Sequence, residues 1–544
     1  MPEAASPPRS GCAVVSGGTL IAIGALVLAH NALSFIGVSP IRVGAQSLSW
    51  FGAYWPLLLV AWGIFKVYQR IAHPERSHVT ATEIVILAWI LVSGLVIRGA
   101  ERAMEEWAEE LSPDDVAFVL GPDLLGPAHR VAETESFDLD GASVLIVENR
   151  RGRVVVIGSD NPTLEVNIVK QVSSFSDAEA ERAFAQVTLE FQPGDEAKLH
   201  TSRERGGRAV LTDLEVRAPR TMSVRVTNRR GAVRLEGLNA PAHVTTTHGH
   251  VEVSNLASGI EVQTSHATIR LERIAGSIVA RNEHGAVSAI DIDGDVTVET
   301  EHSSVTVENV SGDVSLETEH GAVRATDVSG GVEITSPYSE VSVERAGGSV
   351  IIASSHRPVF VHDVSGRLDL VSRYARVVVR GVAGDVSIEN LHRPVSVADI
   401  RGSVSVTGEK CSVDVDAVEG AITITSTHED IRVSELNASL HIRASDADVN
   451  VTAKRLADSV RVETTRGDVI FGLPADASAH VTASTRHGEL RSEFPSLTSI
   501  AIARATEPRQ QQWEGVLGSG RHPLTIVTSY GDITLIRTDP VDPR

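Results

Sequence analysis

Between Met222 and Val451 one apolar pattern returns every 18 residues and never slips by a position. Across residues 312–329 the apolar slots are Val314 and Leu316, then Val323 and Ala325, then Val328. One repeat earlier they read Val296 and Val298, Val305 and Val307, then Val310. An apolar-x-apolar pair is a period-two signal, so each repeat holds two short strands whose valines share a face. So short a unit cannot bury that face by itself. Ordering its backbone costs more than its few side chains return, and neighbours must stack around a shared interior. The predicted fold is an all-β parallel β-solenoid of 18 residues per coil and about 13 coils, spaced about 4.8 Å apart.

Composition sets outer limits. The chain has 544 residues, a formal net charge of −21 and 4% aromatics. Nucleic-acid binding needs a concentrated basic face, and this balance argues against it. Cys12 and Cys411 stand far apart, so no disulfide scaffold is expected.

The first hundred residues differ from the rest. Residues 13–38, 50–68 and 80–98 are apolar enough to predict three transmembrane helices, with tryptophans flanking the second. Lys66, Arg70 and Arg76 between the second and third spans, with Arg9 ahead of the first, mark the cytoplasmic side. The solenoid then falls on the periplasmic or extracellular side. The predicted organisation is a membrane region over 1–99, a juxtamembrane helix and linker over 100–135, and a β-rich cap over 136–221. Solenoid repeats fill 222–452, and C-terminal β coils with a cap fill 453–544. Within the caps a short helix is expected over 176–186 with Ser176 as N-cap, and a loop over 505–520.

Segments 217–238 (RAPRTMSVRVTNRRGAVRLEGL), 247–256 (THGHVEVSNL) and 528–536 (TSYGDITLI) resemble the putative-adhesin family of bacterial β-strand-repeat envelope proteins. The resemblance spans about residues 137–536. Segments 17–33 (GGTLIAIGALVLAHNAL) and 55–67 (WPLLLVAWGIFKV) resemble the membrane segment of LiaF-like envelope-stress proteins. These likenesses imply a membrane-anchored envelope protein and supply no catalytic residue.

Two polar features stand out. One position per repeat reads Arg230, His248, His266, His284, His302, His320, Tyr338, His356, Tyr374, His392, Lys410, His428 and Asp446. In a solenoid these side chains form a row one strand spacing apart. A metal row or a pH-responsive edge would use histidine chemistry. Tyrosine in the same slot, and the small residues that follow, favour stacking beside a tight turn, with a glycine or small residue taking the strained backbone angle. The second feature is a cationic patch, Arg357, Arg373, Arg376, Arg380 and Arg393, beside Phe360, Tyr374 and Val378. It suits an anionic glycan, a lipid head group or an acidic partner, against ordinary variation in surface charge.

No catalytic or metal-binding constellation is present at recognisable spacing, no cofactor is implied, and no coil carries an insertion that could wall a cleft. The expected function is a membrane-anchored rod with structural, adhesive or protein-interaction roles. Its expected partners are the bilayer and envelope proteins or anionic glycans; its oligomeric state is not set by the pattern. The alternatives are a regulatory subunit of envelope-stress signalling and, distantly, a polysaccharide-active β-helix enzyme.

Overall fold

The computed structural model describes residues 127–174, 176–203, 210–500 and 511–538. The three apolar N-terminal segments and most of the linker lie outside these residues. Among the described residues no helix is long and apolar enough to cross a membrane.

Residues 224–453 wind into the predicted parallel β-solenoid. Thirteen coils follow one another at 18-residue steps, the first beginning at Val224 and the last at Leu440. As far as Val433, strand residues pair with their equivalents 18 positions on: Val296 with Val314 and Val314 with Val332, Val305 with Val323 and Val323 with Val341. All five apolar slots are buried, as in Val314, Leu316, Val323, Ala325 and Val328, and they join one continuous core. Regular alternation explains this. In a strand every second side chain turns the same way, and constant register keeps valine above valine. In two coils one strand continues through the mid-coil turn without a break, Ala242–Leu256 and Ile260–Ile274.

Both ends of the array carry coils inserted out of chain order. Val144–Arg151 and Val154–Ser159 form a coil against Ser223–Arg230 and Val233–Glu236. A later segment, Glu196–Arg203 with Leu211–Pro219, then stacks on its far side. Antiparallel strands close this end: Val187–Gln192 lies on Glu196–Arg203, and Leu164–Ser173 lies between Leu211–Pro219 and Ala128–Phe137. The other end repeats the device. His522–Tyr530 and Ile533–Thr538 sit between the coil at Val460–Pro474 and the strands Ala479–Thr485 and Leu490–Ser492. Antiparallel pairing at each end prevents a further parallel coil from docking in register, which is how a solenoid protects its open edge.

Three expectations need correction. Ala128–Phe137 is a strand inside the stretch read as linker; most of its side chains are exposed, so it lacks the apolar alternation that marks a strand. Gln511–Leu517 is a strand, not part of a loop, pairing antiparallel with Ala479–Thr485. The helix is present at Asp177–Ala185, but the Ser176 hydroxyl makes no capping bond. Ser174 works there instead, accepting from the Ser176 backbone N–H and donating to Glu179.

Candidate interaction surface

A sixth inward position, two residues before the histidine row, decides how the mid-coil turn is built. It holds Asn228, Thr246, Thr264, Asn282, Thr300, Thr318, Ser336, Ser354, Ser372, Asn390 and Ser426, all buried. The asparagines show its purpose. Asn282 Nδ2 donates to the Gly285 carbonyl at 2.7 Å and to the Ala267 carbonyl of the preceding coil at 2.9 Å. Asn390 does the same with Arg393 at 2.8 Å and Ala375 at 3.1 Å. Each thus satisfies a turn carbonyl in its own coil and a buried one in its neighbour. This slot is polar inside an apolar core, so an apolar pattern does not reveal it. Its signal is the tetrapeptide Thr/Asn-x-His/Arg/Tyr-Gly, as in Asn282–Gly285 and Thr318–Gly321.

The turn is not made in one way: at His266, His302 and Tyr338 neither the row residue nor its successor has positive φ, while in most other coils one of the two does. Gly249, Gly285 and Gly321 follow their histidines with φ of 138°, 118° and 132°. A Cβ on Gly321 would lie 2.1 Å from the Ser303 carbonyl oxygen, so the coils approach here as only glycine permits. From His356 onward the expectation of a small residue taking the strain fails. The row residue itself adopts positive φ: 66° at His356, 60° at Tyr374, 69° at His392, 54° at Lys410 and 68° at His428. Arg357, Ala375, Arg393, Cys411 and Glu429 follow them without positive φ, because the reversal has moved one residue earlier.

Above this turn the rings stack. From His248 to His320, centroids are 4.8–5.1 Å apart and planes lie within 7° of parallel. The stack continues through Tyr338, His356 and Tyr374 to His392 with tilts of up to 30°. The row outruns the repeat at both ends. Arg151 stands in register ahead of Arg230, and Arg466, Tyr530 and His487 follow Asp446. Arg466 donates to Asp446 and holds its carboxyl below the usual carboxylate range. Parallel stacking bears on metal chemistry. The nitrogen lone pairs lie in the ring planes and point side by side, about 5 Å apart, whereas a metal held at about 2.1 Å needs them to converge. Among the described residues no group of three or more His, Cys, Asp or Glu is arranged to hold a metal ion.

The cationic patch divides into two parts. Phe360 and Val378 are register partners on the second strand of adjacent coils, half-buried, with Arg380 beside them and 3.7 Å from Asp399. Arg357, Arg373, Tyr374, Arg376 and Arg393 lie at the turn around the stacked rings, all exposed. Arg357 and Arg393 occupy one slot two coils apart, and Arg373 directly precedes Tyr374. None of these four turn arginines has a side-chain ion pair among the described residues.

On the N-terminal half of the same edge the charge is reversed. Glu283, Glu301 and Glu319 each precede a row histidine, and with Glu299 and Glu317 they line an open groove beside the rings. Another open groove, along the opposite corner, runs past Asp363, Gly381, Asp399, Ala417 and Glu435. These side-chain rows follow the positive-φ position before the fifth apolar slot, where Asp, Asn and glycine recur because they tolerate left-handed backbone.

The solved structure of a putative cell adhesion protein from Clostridium sporogenes aligns with 75% of this chain and all of its own, at 7% identity and a TM-score of 0.15. That of a putative adhesin from Bacteroides fragilis aligns with 54% of this chain and 97% of its own, at 12% identity and a TM-score of 0.17. No curated protein matches the sequence. Residues 359–536, which include most of the arginine patch and the C-terminal coils, match the family described as Toastrack DUF4097; the match does not extend to the N-terminal segments resembling LiaF-like proteins.

Proposed function

We propose that this chain is a membrane-anchored envelope protein that displays its solenoid as a rigid platform for structural or adhesive contact. The observation that carries the reading is the constant 18-residue coil-to-coil register from Val224 to Val433, which pairs with Val451, with no insertion to wall a catalytic cleft. Such a stack presents long rows of side chains at fixed spacing, which suits extended contact surfaces. The Toastrack match over 359–536 and the sequence resemblance to envelope repeats favour the same role. The apolar segments at 13–38, 50–68 and 80–98 would anchor it, and the arginine patch would meet an anionic partner.

Display is tested by placing a cysteine at exposed Ser315 in a Cys12→Ser background and treating intact cells, with any outer membrane opened, with a membrane-impermeant maleimide. Labelling before lysis is the expected result; labelling only after lysis overturns it. Removing residues 1–99 separates this role from a signalling subunit. A contact platform keeps its partner binding, whereas a signalling subunit loses its output.

A further inference from the structure

We propose that the partner of the stacked-ring edge is a second copy of this chain, docked antiparallel about a two-fold axis at Tyr338. The proposal deepens the contact role above by naming the partner, and it does not depend on which side of a membrane the solenoid occupies.

The edge is charged in opposite senses on either side of Tyr338. Stepping back one, two and three coils gives Glu319, Glu301 and Glu283 beside the rings of His320, His302 and His284. Stepping forward by the same distances gives Arg357, Arg373 and Arg393 beside His356, Tyr374 and His392. A two-fold axis lying in the interface reverses the direction of one copy. Each acidic coil then meets a basic coil, and Tyr338 meets its own counterpart. Glu301 and Arg373 also share the slot just before the ring, so this operation brings them face to face. Parallel pairing would oppose like charges at every level.

Three further observations support self-recognition. The glutamates stack one above another at strand spacing, an arrangement that repels within one chain and that a facing row of cations would relieve. Among the described residues none of the six charged side chains is consumed by a strong internal pair; Glu301 reaches only its neighbour His302, at 3.9 Å. Tyr338 and Tyr374 are 47% and 48% exposed on the same line, and tyrosine with arginine is the composition typical of interface centres. A two-fold contact needs a patch complementary to itself, and charge mirrored about a tyrosine provides one.

The test uses the full chain in a Cys12→Ser background, with Cys411 left buried. Tyr338→Cys should form a disulfide with itself. A mixture of His302→Cys and Tyr374→Cys chains should cross-link to each other, and neither should do so alone. Arg373→Glu or Glu301→Arg should weaken self-association in sedimentation by at least tenfold, and both reversals in one chain should restore it. Restoration distinguishes lost contact from lost folding, which far-UV circular dichroism also reports. Monomeric behaviour at all concentrations, or His302→Cys cross-linking to itself, overturns the proposal. A monomer that binds heparin through Arg373 also overturns pairing while leaving the contact role intact.

Discussion

At the residue scale, stability hinges on a few backbone positions and buried polar atoms as well as on valines. Gly321→Ala forces a Cβ against the Ser303 carbonyl at positive φ and should lower stability by about 2 kcal/mol or more. Gly194→Ala, whose Cβ meets nothing closer than 3.7 Å, should change it by less than about 0.5 kcal/mol. Denaturant midpoints compare the two. The inward polar slot makes a sharper distinction. Asn390→Ala removes a bond to a buried carbonyl and another to a part-buried one and should cost about 1–3 kcal/mol, while Ser372→Ala, whose hydroxyl has no partner among the described residues, should be close to neutral. Equal losses for both would refute the clamp. Cys411 adds a pH signature. Burial pushes its thiol up to about 11, opposed by the Ser426 hydrogen bond and aided by the Glu429 charge. The folded state therefore holds this proton more tightly than the unfolded chain, where the thiol titrates near 9.0. Its contribution to stability is complete below that value and disappears as pH rises towards about 11. At pH 8 the native thiol should resist iodoacetamide and react only after unfolding.

At the scale of the coil, period and register are one property. Because every residue rests on its equivalent 18 positions away, deleting residues 314–331 should rejoin Asp313 to Val332 with all inward slots preserved. Removing 17 or 19 residues should turn the following valines outward, since a one-residue slip reverses every side chain of a strand. The expected result is native-like β circular dichroism and a cooperative melt for the 18-residue deletion, with loss of both for the others. Loss of structure in all three would show that the coils are not interchangeable. The five apolar slots were readable in the sequence because burial and period coincide there. The inward Asn/Thr/Ser slot was not, since polar residues at a core position look like surface residues until their carbonyl partners are known. The turn was only half readable: His-Gly announces its positive φ, but nothing local shows that His356 or Tyr374 would take that strain itself.

At the scale of the whole solenoid, the ends departed furthest from the linear pattern. The repeat implied coils stacked in chain order, yet Glu196–Arg203 docks outside Val144–Arg151, and His522–Tyr530 enters ahead of Ala479–Thr485. Such pairings are set by which strand edges remain open, which no 18-residue window contains. The placement of the arginines follows from the spacing: Arg357, Arg373, Tyr374, Arg376 and Arg393 lie at one turn, while Phe360, Val378 and Arg380 face outward from the neighbouring strand. The acidic counterpart across Tyr338 became apparent only with the edge laid out as a whole. The central claim is that each coil advances the structure by one strand spacing around a common dry interior. Spin labels at the outward-facing register positions Ser315, Ser387 and Thr423 test it by double electron–electron resonance. The label-to-label distance should be about 19 Å for Ser315 with Ser387, four coils apart, and about 29 Å for Ser315 with Thr423, six coils apart, before allowance for the label arms. Distances that fail to grow in proportion to the number of coils would contradict the stack.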